Sequence, residues 1–178
     1  MTPAAKRWGD SLYELARTEG LEERILGELD MAAACIADEP DYLRLLSTIA
    51  VPKKERCALL QKAFEGAHPY VINFLSLLCE NGFLAELSGC IRAYRDLYNL
   101  DHGIAEATVT SALPLSDDER ERLVRKLAAM TGKTVVLNEK TDPAVLGGLR
   151  VTIGGKRLDG TVRRRLDKLR EDMQNEII

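Results

Sequence analysis

The stretch YNLDHGIAEATVTS, residues 98–111, changes its hydrophobic period in the middle. Before it, apolar residues recur every three or four positions, which is the spacing of a helix with one buried face. From residue 105 to residue 111, small or apolar side chains alternate with polar ones, which is the spacing of a half-buried strand. The change predicts a boundary near residue 103 between a helical part and an α/β part.

The helical part, residues 1–103, is predicted to be a bundle of six helices with short connections. In the first helix, Trp8, Leu12 and Leu15 recur on one face at the helical period. Glycine favours the end of a helix and proline its first turn, so both residue types mark the breaks between helices. The breaks fall at Gly20, Pro40, Pro52, Gly66, Pro69 and Gly82.

The fourth and fifth helices carry specific expectations about burial. Four residues of the fourth helix are predicted to face inward: Leu59, Leu60, Ala63 and Phe64. Arg56 is expected on the solvated face of the same helix, together with Lys53 and Lys54. The fifth helix has almost no polar face between Val71 and Leu78, so we expect the other helices to enclose it.

The α/β part, residues 104–178, is predicted to contain a short mixed sheet and two helices, so the fold class is α+β with two domains. Ser116 and Glu119 form a capping box, in which each side chain accepts a hydrogen bond from the other residue's backbone N–H. Gly154 and Gly155 are predicted to form a two-residue hairpin turn, because both tolerate positive φ. The other elements are a β-rich stretch at 135–137, strands at 149–153 and 156–159, and a last helix at 162–173.

Composition and charge argue against a nucleic-acid binder. The chain has 178 residues, of which 46% are hydrophobic and 30% charged, and its net charge is −3. Nucleic-acid binders more often carry a basic excess, because phosphate contacts supply most of their affinity. The basic run at 163–165 has three interpretations: the polar face of the last helix, a phosphate-binding patch, or a contact for an acidic protein. The acidic total and the lack of nearby stacking aromatics favour the first over nucleic-acid binding, while an acidic protein partner remains open.

The chain is expected to be soluble and to remain in the compartment where it is made. Its N-terminus lacks the apolar stretch of a signal peptide. The longest apolar run, near Tyr70–Cys79, is much shorter than the roughly 20 residues that span a bilayer. No direct insertion into a membrane is therefore predicted.

No catalytic, cofactor-binding or metal site can be assembled from the sequence. The histidines, His68 and His102, lie in no recognisable nucleophile motif, and no Gly-x-Ser-x-Gly occurs. The pair Gly155-Lys156 lacks the first glycine and the final Ser or Thr of a phosphate-binding loop. The cysteines form no Cys-x-x-Cys pair and are expected to be small buried thiols. They are Cys35, Cys57, Cys79 and Cys90.

Five stretches together resemble one protein family. The first is AKRWGDSLYELA at 5–16, with Trp8 in place of the usual tyrosine, and the second is the turn at 78–84, with Phe83 in place of a common arginine. The other three, in the family's order and spacing, are VVL at 135–137, DPAVLGGL at 142–149 and DGTVR at 159–163. The chain thus resembles the delta subunit of bacterial F-type ATP synthases, which is similar to the mitochondrial oligomycin-sensitivity-conferring protein.

The resemblance implies a stator subunit that has no catalytic activity and no cofactor. In that family, the helical domain holds the N-terminal helices of the alpha subunits on the catalytic head. The C-terminal domain holds the ends of the b subunits of the peripheral stalk. The resemblance further implies one copy per complex, peripheral attachment at the cytoplasmic face of the bacterial membrane, and a role in coupling rotation to ATP synthesis.

A groove between the first and fifth helices is also implied by the resemblance. An amphipathic partner helix binds by laying its apolar face in such a groove. The residues of the groove would be Trp8, Leu12, Leu15, Phe74 and Leu78. The alternative is that these residues are ordinary core of the bundle.

Five residues of the C-terminal part carry the family signature: Gly147, Gly148, Asp159, Gly160 and Arg163. Gly147 and Gly148 are expected to be structural, at a turn where side chains do not fit. A local pairing of Asp159 with Arg163 is the simplest interpretation of those two residues.

Two other classes of function make different predictions. A small-molecule enzyme needs a pocket with converging polar groups, for which the sequence offers no candidates. The alternative is a stand-alone helical module that binds nucleic acid or protein. Binding of nucleic acid would weaken steeply with salt, which does not agree with the charge balance of the chain. A stator adaptor predicts two separate protein-binding surfaces and no turnover, and we favour this hypothesis.

Overall fold

The computed structural model describes residues 1–48, 51–145, 147–162 and 164. These residues form seven α-helices and a four-stranded mixed sheet, which confirms the predicted α+β class. The chain divides into two compact units, Met1–Tyr98 and Asn99–Ile178. Within the described residues, no helix has both the length and the apolar character that crossing a membrane requires.

The first unit is helical. Its helices are α1 (Pro3–Glu19), α2 (Glu22–Asp38), α3 (Pro40–Ser47), α4 (Lys53–Ala63), α5 (Pro69–Glu80) and α6 (Leu87–Asp101), with a short 3-10 helix at Leu84–Glu86. At the start of α1, the Thr2 hydroxyl accepts a hydrogen bond from the Ala5 N–H at 3.2 Å. Gly20 ends this helix with a φ of 67°, as the sequence predicts.

The core of the helical unit is made by the apolar stripes of its helices. Fully enclosed side chains include Ile25, Leu29, Leu60, Val71, Leu75, Leu78 and Tyr94. The Tyr94 hydroxyl donates a hydrogen bond to the Glu22 carbonyl at 3.0 Å, and its ring packs edge-on against Tyr13. A Cβ at Gly9 would lie 2.3 Å from the Cys90 carbonyl oxygen, so only glycine allows α1 and α6 to approach this closely.

The burial predicted for α4 is partly wrong. Leu59 and Ala63 are exposed, whereas Arg56, which was expected in solvent, is buried. The buried residues of α4 are Arg56, Cys57 and Leu60. Leu59 lies about a quarter turn from Leu60, whereas Ala63 shares the face of Arg56 and Leu60 but is the last residue of the helix. The Arg56 guanidinium reaches a polar partner inside, since its Nη1 donates a hydrogen bond to the Leu46 carbonyl at 2.8 Å.

Two further expectations about burial are wrong. The other helices do not fully enclose α5, because Leu77 is 44% exposed. Leu77 shares a helix face with Asn73 and Glu80, which are also exposed. Cys35 is exposed as well, whereas the other cysteines are buried as predicted: Cys57, Cys79 and Cys90.

The second unit is built on the sheet. Its elements are β1 (Ile104–Ser111), α7 (Asp117–Thr131), β2 (Thr134–Thr141), a 3-10 helix (Pro143–Val145), β3 (Leu149–Ile153) and β4 (Lys156–Asp159). The strand order is β2-β1-β3-β4, with β1 and β2 parallel and the other two pairs antiparallel. α7 connects the two parallel strands, and its Leu127 packs in one cluster with Val109 and Val151.

Local signals in this unit are confirmed. The Ser116 Oγ accepts a hydrogen bond from the Glu119 N–H at 3.4 Å, and the Glu119 carboxylate accepts one from the Ser116 N–H at 3.0 Å. Gly154 and Gly155 join β3 to β4 with φ values of 52° and 76°. The last helix predicted at 162–173 lies almost entirely outside the described residues.

Candidate partner-binding surfaces

The first candidate surface lies where α1 meets α5. We define the α1–α5 surface by its five predicted residues: Trp8, Leu12, Leu15, Phe74 and Leu78. The Trp8 ring packs edge-on against Phe74, with ring centroids 6.4 Å apart. Leu12 and Leu78 belong with Phe74 to the apolar core of the helical unit, against which Trp8 packs. Four of the five residues thus lie in this core or against it, with a ring contact between Trp8 and Phe74.

Burial separates the members of the α1–α5 surface. Leu12, Phe74 and Leu78 are only 6%, 5% and 0% exposed. Leu15 is 43% exposed, and Trp8 is partly buried against the core. The core interpretation therefore holds for Leu12, Phe74 and Leu78, while binding of a partner at Trp8 and Leu15 stays a prediction.

Polar contacts fix the start of α5, which carries Phe74. The His68 Nδ1 accepts a hydrogen bond from the Tyr70 N–H at 3.3 Å. The His68 N–H donates to the Glu28 carboxylate on α2. Burial raises the pKa of Glu28, but the hydrogen bonds from His68 and Arg24 outweigh it, so the pKa is lowered overall. A charged Glu28 thus holds α5 against α2.

The second candidate region surrounds Asp159. We define the Asp159 junction by five residues: Gly147, Gly148, Asp159, Gly160 and Thr161. Gly148 has a φ of 81°, and a Cβ on it would lie 2.5 Å from the Gly160 carbonyl oxygen. The Val162 N–H donates to the Gly147 carbonyl at 3.1 Å, and the Gly160 N–H donates to the Leu149 carbonyl at 2.9 Å. The structural role expected of the two glycines follows from this close approach of two backbone segments.

The Asp159 carboxylate holds the junction together. Its Oδ1 accepts hydrogen bonds from the Thr161 hydroxyl at 2.7 Å and the Thr161 N–H at 3.2 Å. Its Oδ2 accepts one from the Arg150 Nε at 3.2 Å. The Thr161 bonds and then Arg150 lower the pKa of Asp159 to about 2. Arg150 is a local partner of Asp159, whereas Arg163, the partner expected from the sequence, lies outside the described residues.

The chemistry of these residues is that of packing and fixed hydrogen bonds. Among the described residues, no group of three or more His, Cys, Asp or Glu side chains is placed to hold a metal ion. Burial raises the pKa of the Cys90 thiol to about 11, which keeps it protonated and unreactive at neutral pH.

Two exposed apolar side chains are further candidates for binding that the sequence interpretation did not include. Leu113 is 76% exposed in the loop after β1, where neither the helical nor the strand period applies. No sequence signal marks it for that reason. Leu77, by contrast, could have been found, because it recurs with Asn73 and Glu80 at helical spacing.

Comparison with known proteins identifies the family. Residues 4–173 match the family described as ATP synthase delta (OSCP) subunit. The chain belongs to this family. It is 36% identical over 172 residues to ATP synthase subunit delta of Erythrobacter litoralis, covering 96% of this chain and 94% of the relative. It is 38% identical over 172 residues to that of Rhodopseudomonas palustris, covering 94% of this chain and 91% of the relative.

The fold also matches a solved structure. A chain of the Toxoplasma gondii mitochondrial ATP synthase hexamer aligns with a TM-score of 0.78 at 17% identity, covering 98% of both chains. The family match makes the protein a non-catalytic component of the peripheral stalk of an F-type ATP synthase.

Proposed function

We propose that this chain connects the catalytic head of the synthase to the b subunits of the peripheral stalk. The six-helix bundle, residues 1–103, binds the N-terminal helices of alpha subunits at the α1–α5 surface. The α/β domain, residues 104–178, binds the b subunits. The protein acts at the cytoplasmic face of the bacterial membrane and resists rotation of the head while the central stalk turns.

One observation carries the proposal. The family match extends from residue 4 to residue 173 and thus through both compact units of the chain. Two differently built parts suit an adaptor, because each part can recognise a different partner. The chain has a helical unit followed by an α/β unit, which agrees with this role.

The helical unit contributes a suitable surface for an amphipathic helix. Trp8 and Leu15 lie seven residues apart on α1, which places them on the same face about two turns apart. Trp8 presents a large apolar ring whose position is fixed by Phe74 beneath it. A rigid, partly exposed tryptophan is the kind of side chain that dominates binding energy at protein interfaces.

Calorimetry with a peptide tests the helical unit. We expect the full chain to bind a peptide copy of its synthase's alpha-subunit N-terminus with micromolar or tighter affinity, about −8 kcal/mol. The Trp8→Ala variant should bind at least about tenfold more weakly, because a central aromatic contact is lost. The matched control is Met31→Ala, since Met31 is 63% exposed on α2, outside the α1–α5 surface.

Circular dichroism separates binding from folding in this experiment. Trp8→Ala should keep the helical signal of the parent chain if the ring serves mainly the partner. A titration without heat at high peptide concentration, or loss of helical signal in Trp8→Ala, would contradict the proposed role of the α1–α5 surface.

Capture from solubilised membranes tests the assembly. The tagged full chain should retain alpha and b subunits together, and truncation at residue 103 should release the b subunits alone. A fully coupled synthase in cells that lack the gene would contradict the adaptor role.

A further inference from the structure

An open depression of about 470 Å³ lies in the α/β unit beside α7. Leu115, Leu123 and Leu149 line it, and each also packs against the core of this unit. Leu113 lines it as well and is 76% exposed, so its side chain contributes little to the fold. We call this site the α7 depression. Its lining is mainly apolar.

Two cations lie along the α7 depression. Arg122 and Lys126 line it four residues apart on α7, and neither makes an ion pair with a described residue. Like charges at this spacing disfavour a helix slightly. Glu119 also lines the depression, where its carboxylate accepts hydrogen bonds from the Ser116 N–H and hydroxyl and is also attracted by Arg122. The depression therefore carries two cations against one carboxylate, which leaves it with a net positive charge.

The other arginines of this region of α7 are paired. Arg120 contacts Asp117 and the Glu139 carboxylate on β2. Arg125 lies 3.7 Å from Glu121 within the helix. Neither Arg120 nor Arg125 lines the depression. The excess positive charge beside the depression thus coincides with the apolar surface.

We propose that the α7 depression binds the end of an acidic amphipathic helix. Its apolar side chains would contact Leu113, Leu115, Leu123 and Leu149, and its carboxylates would pair with Arg122 and Lys126. A helix fits because an apolar site flanked by charge on one side matches the two faces of such a helix. The identity of this helix as the b-subunit end rests on the function proposed above.

A charge-reversal experiment tests the proposal. Calorimetry at low and high salt would measure binding of the full chain to the soluble part of its synthase's b subunit. Arg122→Glu/Lys126→Glu should weaken binding at low salt by about tenfold or more, because attraction becomes repulsion. It should also remove most of the salt dependence seen with the parent chain.

The matched control carries the same change in net charge. Arg125→Glu/Lys133→Glu alters two exposed cations outside the depression and should bind within about twofold of the parent chain. The neutral pair Arg122→Gln/Lys126→Gln should fall between parent and reversed variant. If the charge-reversed variant folds poorly, the neutral variant still tests whether the two cations contribute to binding.

The apolar contact has its own matched pair. Leu113→Ser should weaken binding by about fivefold or more, since an exposed leucine loses its partner on truncation. Met130→Ser alters a residue of α7 that is 68% exposed and does not line the depression, so its affinity should not change.

The outcomes distinguish this inference from the proposed function. If the parent chain and the reversed variant bind the b subunit equally, the α7 depression is not the site, while the adaptor function stands. If the parent chain does not bind the b subunit at all, both the depression's occupant and the role proposed for the α/β domain are wrong.

Discussion

The helical unit and the α/β unit place their candidate residues in different surroundings. In the helical unit, Leu12, Phe74 and Leu78 are buried in the core beneath the surface that they were predicted to form. In the α/β unit, Gly148 and Asp159 belong to a turn junction held by backbone contacts and hydrogen bonds. One unit is shaped by apolar packing at its candidate site, and the other by backbone geometry.

This difference determines where binding and folding can be separated by mutation. At the α1–α5 surface, most substitutions change both, because three of its five residues support the core. In the α/β unit, the signature residues maintain the fold, while Leu113, Arg122 and Lys126 are exposed and can be changed with little cost to stability.

The largest expected effect concerns helix packing in the helical unit. Gly9→Ala should lower the free energy of unfolding by about 3 kcal/mol, because its Cβ would meet a backbone oxygen of α6 at 2.3 Å. Gly27→Ala is the matched control, since α2 leaves nothing within 4 Å of a Cβ there. That control should raise stability by up to about 1 kcal/mol through helix propensity. Urea denaturation measures both.

Equal changes in the free energy of unfolding for Gly9→Ala and Gly27→Ala would contradict this account of the helical unit. They would mean that α1 and α6 can separate without loss of core packing, so that apolar burial does not fix the helical unit at this contact.

A smaller effect is expected at the Asp159 junction. Gly148→Ala should destabilise by about 2 kcal/mol, since it combines a φ of 81° with a contact of 2.5 Å to the Gly160 carbonyl oxygen. Gly155→Ala shares a similar φ of 76° but has open space around it, and should cost about 1 kcal/mol. The difference between the two, measured by urea denaturation, isolates the close approach of the two backbone segments. Equal losses would show that only φ matters.

Much of the fold could be predicted from local sequence chemistry. The change of period at residues 98–111 marks the transition from α6 to β1, and Gly20 and the Ser116–Glu119 capping box mark helix ends. These features depend on a few neighbouring residues, so the sequence alone contains the information. The Gly154-Gly155 turn is likewise determined by neighbouring residues alone.

Burial of individual side chains was harder to predict, because it depends on which neighbours surround a helix. Arg56 carries a charge and yet is buried, since the Leu46 carbonyl from another helix accepts its hydrogen bond. Leu113 is apolar and yet 76% exposed, in a loop where no periodic pattern indicates its surroundings. The α7 depression combines residues from three separate stretches of chain, and no spacing rule brings them together.

The smallest expected effect is a pH dependence that distinguishes the two units. The pKa of Asp159 is about 2 in the folded chain, against an ordinary value of about 3.8. Between these values the unfolded chain binds more protons, so the stability contributed by Asp159 rises with pH. It is present above about pH 4 and is lost as the pH falls toward 2. Asp159→Asn should remove this contribution.

NMR at several pH values locates the effect. Unfolding is followed at the amide signals of Val109 and Val151, which gives the free energy of unfolding of the α/β unit. The difference in this free energy between the parent chain and Asp159→Asn should be largest near pH 6 and shrink toward pH 2.5. At the amides of Val71 and Leu75 in the helical core, the free energy of unfolding should change with pH in the same way in both proteins. A difference that stays constant with pH would show that the carboxylate charge contributes nothing at the junction. A variant effect that reaches Val71 would show that the two units unfold together.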